Sequence, residues 1–152
     1  LHSVGIRPGV VYGVGRDQGM TSKTTVAILA AAAAKPYAIP FSGDVSWLFA
    51  GEVASAFIRS VAQLRTGAPV FDLNGQYASV EQGMSILQAL APEAKIEITG
   101  EPLAFPMNHS DEPLRAYIGD YGQVPLEAGI RATYESFQGL IRHQKIDVKQ
   151  WL

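Results

Sequence analysis

The sequence predicts an α/β fold. Short apolar strand-like runs alternate with helical stretches from end to end, glycine or proline punctuates almost every junction, and the 47% hydrophobic to 17% charged balance is that of a chain that folds around a core. The 152 residues suffice for one domain, and no repeat or clear boundary divides them. Strands separated by helices favour at least one parallel pair, because a parallel neighbour is reached only through a crossover.

Val4 to Tyr12 reads as one buried strand, apolar at Val4, Ile6, Val10 and Val11. Gly13-Val14-Gly15 then forces a turn. Thr21 or Ser22 is placed to cap a helix through Val26, Ile28, Leu29 and an alanine run to Lys35, which Pro36 stops. Tyr37 to Pro40 and Ser46 to Ala50 read as short strands. Gly51 to Leu64 has Val53, Phe57, Val61 and Leu64 on one helical stripe, with Gly67 as a left-handed stop. Val70 to Asn74 is a strand closed by Gly75. Ser79-Val80-Glu81-Gln82 has the spacing of a capping box, opening a helix that buries Val80, Met84 and Leu87, with Leu90 or Ala91, before Pro92. Lys95 to Thr99 alternates with period two, as a half-buried strand does. Asp111 to Ile118 is a short helix. Pro125 to His143 is the longest, with Leu126, Ile130, Tyr134, Phe137 and Ile141 on one side. Asp147 to Leu152 reads as a tail.

Composition removes several functions. The net charge is -2 and no Lys/Arg block occurs, so no nucleic-acid or anionic-membrane partner is expected. Absence of cysteine excludes disulfides and thiolate metal sites and suits a cytoplasmic location. The longest apolar run, Val26 to Ala34, is too short to span a bilayer. The sequence opens at Leu1-His2-Ser3 and enters the first strand within a few residues. The expectation drawn from this is a chain cut from a longer one, the plainer reading being a trimmed leader.

Few residues offer chemistry on their own. Gly13-Val14-Gly15-Arg16-Asp17-Gln18-Gly19 lies between a strand and a helix, where glycines let a backbone approach a pyrophosphate. Its spacing is GxGxxxG rather than GxGxxG, and no carboxylate follows until Asp44. A loop at the end of a strand is the better reading. His2, His109 and His143 are far apart, and none has ligand spacing, so no metal site is expected. There is no GxSxG and no cysteine nucleophile. Asp17, Asp44, Glu52, Asp72, Asp111, Glu112 and Asp120 read mostly as caps or surface charges, with Glu52 and Glu81 in first helical turns where a negative charge suits the helix dipole.

Taken in series, the motifs resemble one family. Ile6-Arg7-Pro8-Gly9-Val10-Val11-Tyr12-Gly13-Val14-Gly15-Arg16 is similar to the sixth-strand motif LRPxxVYGPG(R) of extended short-chain dehydrogenases, the NAD-dependent epimerases and dehydratases. Trp47 to Ala54 resembles their FxxVxDVA segment. Val70 to Gly75 resembles YNLGG, and Ser79-Val80 the start of the next helix. Asp111 to Gly119 and Pro125 to Phe137 resemble the D…LG…pLEEGIRxTxxxF tail. The resemblance runs from about Val4 to Leu140 and covers the C-terminal part of the family only. It implies the last strands of an incomplete Rossmann sheet plus a substrate-binding region, with few, mostly parallel strands and about five helices, as a single domain or fragment over residues 1–152.

Two departures accompany it. Phe49, Ala50 and Gly51 stand where the family usually places His and Asp, leaving Glu52 near the last acidic position. The glycine-rich cofactor loop, catalytic Ser/Thr and Tyr-xxx-Lys pair belong upstream of Leu1 in the family. No tyrosine among Tyr12, Tyr37, Tyr77, Tyr117, Tyr121 and Tyr134 has a lysine four residues on; Tyr12 with Arg16 is the nearest imitation. No catalytic residue is therefore expected here. The resemblance implies NAD or NADP in the complete protein, none for this chain alone, and a nucleotide-sugar or sugar-acid substrate. It puts Pro8, Gly9, Val10 and Val11 against the nicotinamide. Arg16, Asp17, Thr21 and Lys23 would face the substrate, where cations suit a diphosphate or carboxylate.

Packing leads to the same expectation. A strand apolar on both faces belongs inside a sheet covered on each side. With Val70 to Leu73 as its natural neighbour, one edge and one face would lie open. The expectation is an exposed apolar patch over Val4, Ile6, Val10 and Phe71, or its burial by a homo-oligomer or another association covering Val4 to Val11. The alternative is a stand-alone non-catalytic binding module of the same fold, with a closed core. A self-sufficient nucleotide-binding domain built on Gly13, Gly15 and Gly19 is the third reading.

Overall fold

The computed structural model describes residues 2–63, 65–105 and 109–152. Gly5–Pro8 (β1) and Val10–Tyr12 (β2) are separate strands. The reading of one strand from Val4 to Tyr12 is corrected: the chain changes sheet at Gly9. Lys23–Ala32 (α1) follows a 3-10 turn at Met20–Ser22. Ser22 precedes α1 but does not cap it, because its hydroxyl donates back to the Gly19 carbonyl at 2.8 Å. Tyr37–Ile39 (β3), Asp44–Phe49 (β4) and Ala50–Ala62 (α2) come next, then Val70–Leu73 (β5) and Gln76–Ser79 (β6). Val80–Leu90 (α3), Ile96–Ile98 (β7), Glu112–Ile118 (α4) and Leu126–Arg142 (α5) complete the order. Among the described residues these are five α-helices and three small sheets. β1 pairs with β5, β2 with β4 and β3 with β7, all parallel; only β4 and β6 run antiparallel.

The sheet β2-β4-β6 divides two cores by simple alternation. Val10, Tyr12, Val45 and Trp47 point to one side, where α1, α3 and α5 supply Ile28, Leu29, Met84, Leu87, Ile130 and Phe137. Val11 and Leu48 point to the other, with Ala56 of α2, Leu73 and Phe71 of β5, and Leu114 and Ile118 of α4. The α5 stripe and the α3 stripe read from the sequence both lie in the first core. The capping box is formed as spaced: Gln82 N donates to Ser79 Oγ at 3.0 Å and Ser79 N to Gln82 Oε1 at 2.8 Å. The alternation in Ile96–Ile98 also holds, with half-buried isoleucines around exposed Glu97.

Three element readings are corrected. In α2 the buried residues are Glu52, Ala56 and Ser60, while Phe57 is 46% and Val61 70% exposed; Leu64 lies outside the described residues. The cause is Glu52. Its carboxylate accepts backbone N–H bonds from Phe49 at 2.9 Å and Val124 at 2.7 Å, which rotates the i, i+4, i+8 face of the helix inward. Gly67 does not end α2, which stops at Ala62, but sits in the connection beyond it with φ 114. The Asp147–Leu152 tail is anchored: Val148–Gln150 forms a 3-10 turn, and Val148 and Trp151 pack on the first core.

The exposed apolar surface also moves. Val10 is 1% exposed, enclosed by the chain's own helices, and Val4, Ile6 and Phe71 are half-buried. The open residues are instead Phe57, Ile58 and Val61 on α2 and Val70 on β5. Val70 belongs to the two-stranded layer β1-β5, which has no further strand among the described residues, whereas α2 packs on β2, β4 and α4. Among the described residues no helix is long and apolar enough to cross a membrane.

Candidate functional site

Parallel strands present ligands at their C-terminal ends. At that end of β1 and β5 a cleft of about 320 Å³ is lined by Arg7, Pro8, Gly9, Asp72, Asn74, Phe105 and His109. Strand register puts Arg7 beside Asp72, and the guanidinium reaches the carboxylate at 2.8 Å. His109 Nδ1 lies 2.9 Å from the other carboxylate oxygen. A carboxylate only accepts, so that contact keeps the His109 proton on Nδ1 and leaves Nε2 uncommitted. The hydrogen bond from His109, then Arg7, holds the Asp72 carboxyl below its ordinary range against the opposing effect of burial. The Asn74 amide and the Tyr77 hydroxyl both donate to the His109 carbonyl, fixing the segment that brings the ring to the cleft.

Of the residues assigned to the cofactor, Pro8 and Gly9 line this cleft. Val10 lies in the first core and Val11 packs on the second; neither is a wall of it. Gly9 has a packing reason of its own: a Cβ there would stand 2.7 Å from Ser46 Oγ. The group assigned to substrate is elsewhere. Asp17 and Lys23 line a second cleft of about 320 Å³ with Gln18, Val26, Gln150 and Trp151. Arg16 is turned onto its own loop, donating to the Gln18 carbonyl and to Thr21 Oγ1. The two sets of residues share no lining residue.

Asp72, Asn74 and His109 were not singled out as site residues by sequence. Asp72 and His109 are 37 residues apart, and only strand pairing and the fold of the later loop join them. The one legible signal was the charge at Asp72 facing Arg7, which becomes visible once the β1–β5 register is known.

A third cleft, about 410 Å³, is lined by Glu52, Gln76, Gln123, Val124 and Pro125. Burial pushes the Glu52 carboxyl above its ordinary range, despite the two backbone N–H groups that favour its charged form. Nearby, Asp111 accepts from the Tyr121 hydroxyl and pairs with Arg115 at 3.0 Å, and the Arg115 guanidinium stacks 4.1 Å from the centre of the Tyr121 ring. These contacts tie the turn after α4 to Asp111, the residue that precedes the helix. Tyr12, the imitation of a catalytic tyrosine, is 1% exposed. Burial and Glu52 push its hydroxyl up, the opposite of what a phenol acting near neutral pH needs. No group of three or more metal-ligating side chains comes together among the described residues.

No family model matches the sequence, and no curated protein matches it. Solved structures do match. A partial consensus L-threonine 3-dehydrogenase aligns with a TM-score of 0.74 at 15% identity, over 88% of this chain and 48% of its own. UDP-glucose 4-epimerase from Thermotoga maritima, solved with UDP-glucose, aligns with a TM-score of 0.74 at 16% identity, over 93% and 47%. UDP-glucose 4-epimerase from Thermus thermophilus, solved with NAD, aligns with a TM-score of 0.69 at 22% identity, over 91% and 47%. The chain thus spans about half the length of the structures it matches, and its fold is that of part of an extended short-chain dehydrogenase.

Proposed function

We propose that this chain is the substrate-side portion of an NAD(P)-dependent epimerase, dehydratase or reductase acting on a nucleotide sugar or sugar acid, in a cytoplasmic setting. The glycine-rich loop and the Tyr-xxx-Lys pair would lie on another stretch of polypeptide, and residues 1–152 would act as one domain or fragment. The observation that carries the reading is the β1-β5 layer. It is parallel, it ends in a cleft lined by Pro8 and Gly9, and Val70 on its β5 strand is 58% exposed. A two-stranded parallel layer with open edges and an uncovered apolar residue is a surface that other strands and helices complete.

The cleft suits the reactive end of such a cofactor. Pro8 and Phe105 offer apolar walls to a flat ring, and Asn74 with the Asp72–His109 pair offers polar groups to a carboxamide. When bound, the nicotinamide supplies the hydride chemistry. This chain's residues would seat and orient it. Val10 and Val11 would act one step back, as the strand that holds Gly9 in place.

The test is hydride transfer by the complete polypeptide, followed through reduced nicotinamide with UDP-glucose and with sugar acids. Asn74→Ala and His109→Ala should raise the NAD(P) Kd about tenfold, the loss of one to two net hydrogen bonds. Unchanged NAD(P) affinity in both variants, or turnover by the 152-residue chain unaided, would refute this division of labour.

One observation favours the non-catalytic alternative. The first core is closed by the chain itself, with Val10, Tyr12, Ile130 and Phe137 all essentially inaccessible. A binding module of this fold needs nothing more for its main core.

A further inference from the structure

His109 reaches the cleft at the end of β1 and β5 on a strap of three residues, His109, Ser110 and Asp111, that leads into α4. Its side chain is 44% exposed, so packing does not fix the ring; polar contacts do. The ring meets Asp72 at 2.9 Å, and the His109 carbonyl accepts from the Asn74 amide and the Tyr77 hydroxyl. Asp72, Asn74 and Tyr77 belong to one stretch of chain, and they hold only one end of the strap.

The other end is held from elsewhere. Ser110 Oγ accepts from Glu112 N at 3.2 Å, which sets the turn into the helix. One carboxylate oxygen of Asp111, Oδ2, accepts from both the Tyr121 hydroxyl and Arg115 Nε, the latter at 3.1 Å. Arg115 is itself fixed by Asp120 at 2.9 Å and by its stack on the Tyr121 ring. The Tyr121 ring is buried in the second core. Burial, and then Asp111, push the Tyr121 hydroxyl up, so it stays protonated and donates. Tyr121 thus joins a packed interior to the strap through one hydrogen bond.

Two residues of chain span at most about 7 Å, so a shift at Asp111 is passed on to His109 rather than absorbed. A polar group misplaced by about an ångström loses much of its worth to a bound partner. We propose, resting on the reading of this cleft as the cofactor's, that Tyr121 is a positioning residue for it: the Tyr121 hydroxyl, acting through Asp111, sets where His109 presents Nε2 to the nicotinamide. A merely structural tyrosine would trim the turn after α4 and leave the imidazole alone.

Tyr121→Phe keeps the ring and its stack on Arg115 and removes only the hydroxyl. In the complete polypeptide it should raise the NAD(P) Kd about threefold to fivefold, a part of the loss expected for His109→Ala. Because it works through His109, it should add nothing further in the His109→Ala background, whereas independent effects multiply. With no cofactor present, the His109 ring resonances of isotope-labelled protein, assigned by their loss in His109→Gln, should shift in Tyr121→Phe. The indole resonance of Trp47, which donates to the Ala78 carbonyl in the first core, should stay where it is. Asp111→Asn, which weakens the same joint from the strap side, should repeat these results. Unmoved His109 resonances, a Trp47 resonance that moves with them, or losses that multiply in the double variant would overturn the assignment. So would an unchanged Kd in Tyr121→Phe where His109→Ala raises it. An unchanged Kd in His109→Ala would remove the cofactor reading instead, and the ring resonances would then decide the positioning of His109 by themselves.

Discussion

Glu52 shows how a single residue can set the orientation of a helix. Its carboxylate joins the start of α2 to the segment entering α5 through two backbone N–H bonds. The sequence places it in a first helical turn, as a cap or a surface charge suited to the helix dipole, and the bond from Phe49 N is such a cap. The long-range half of its role, the bond to Val124, spans 72 residues and has no local signature. Burial raises its folded-state carboxyl value above the unfolded one. The stabilisation linked to that shift is fully present below the ordinary carboxyl range and is lost as pH rises through the folded value. Glu52→Gln, which does not titrate and keeps one acceptor oxygen, should cost about 1–3 kcal/mol at low pH. The gap between wild type and variant should narrow toward neutral pH in urea titrations. A gap that widens with pH would mean that the charged form dominates in the folded protein.

Elements with local rules were the most legible. Ser79 and Gln82 satisfy each other as their spacing requires, and the Gly43 carbonyl takes the N–H of Val80, the first residue of α3, at 2.9 Å. Ser79→Ala should lower stability by about 1 kcal/mol, and Ser79→Thr, which keeps the capping oxygen without setting a second carboxylate opposite Asp44, should restore most of it, measured by equilibrium denaturation. A negligible effect of Ser79→Ala would show that the packing of Val80 and Met84 alone fixes the helix start. α5 was legible for the same kind of reason: seventeen residues carry a sustained stripe. α2 carries an equally clear stripe, and its periodicity found the helix but not the face that is buried. Periodicity reports two sides of a helix; which one turns inward is decided by contacts such as those of Glu52. Gln76–Ser79 was missed because a four-residue strand with one buried position leaves almost no pattern.

At the scale of the molecule, the alternation of strands and helices was enough to give α/β and parallel pairing. It was not enough to show that Val4 to Tyr12 serves two sheets. The break falls at Gly9, where Ser46 Oγ would crowd any Cβ, and that contact crosses 37 positions of sequence. The location of the clefts was likewise only partly legible. Loop residues such as Asp17 and Lys23 could be named, but their partner wall at Gln150 and Trp151 could not. The uncovered residues Ile58 and Val61, each 70% exposed, lead to a prediction about the whole chain. The 152-residue polypeptide should self-associate at micromolar concentration, and the double variant Ile58→Asp/Val61→Asp should sediment as a monomer. Because both side chains already face water, the variant's stability should stay within about 0.5 kcal/mol of wild type. A monomeric wild type at high concentration would show that this face is tolerated in water without a partner.

The position of β4 has one more implication. Its odd residues Val45 and Trp47 belong to one core and Leu48 to the other, so the same six residues hold up two separate interiors. Neither interior can loosen fully while β4 stays in place, and displacing β4 strips both at once. Amide protons along it should therefore be released to solvent only in the largest opening the molecule makes, which ties the fate of the β1-β5 layer to that of the helical side.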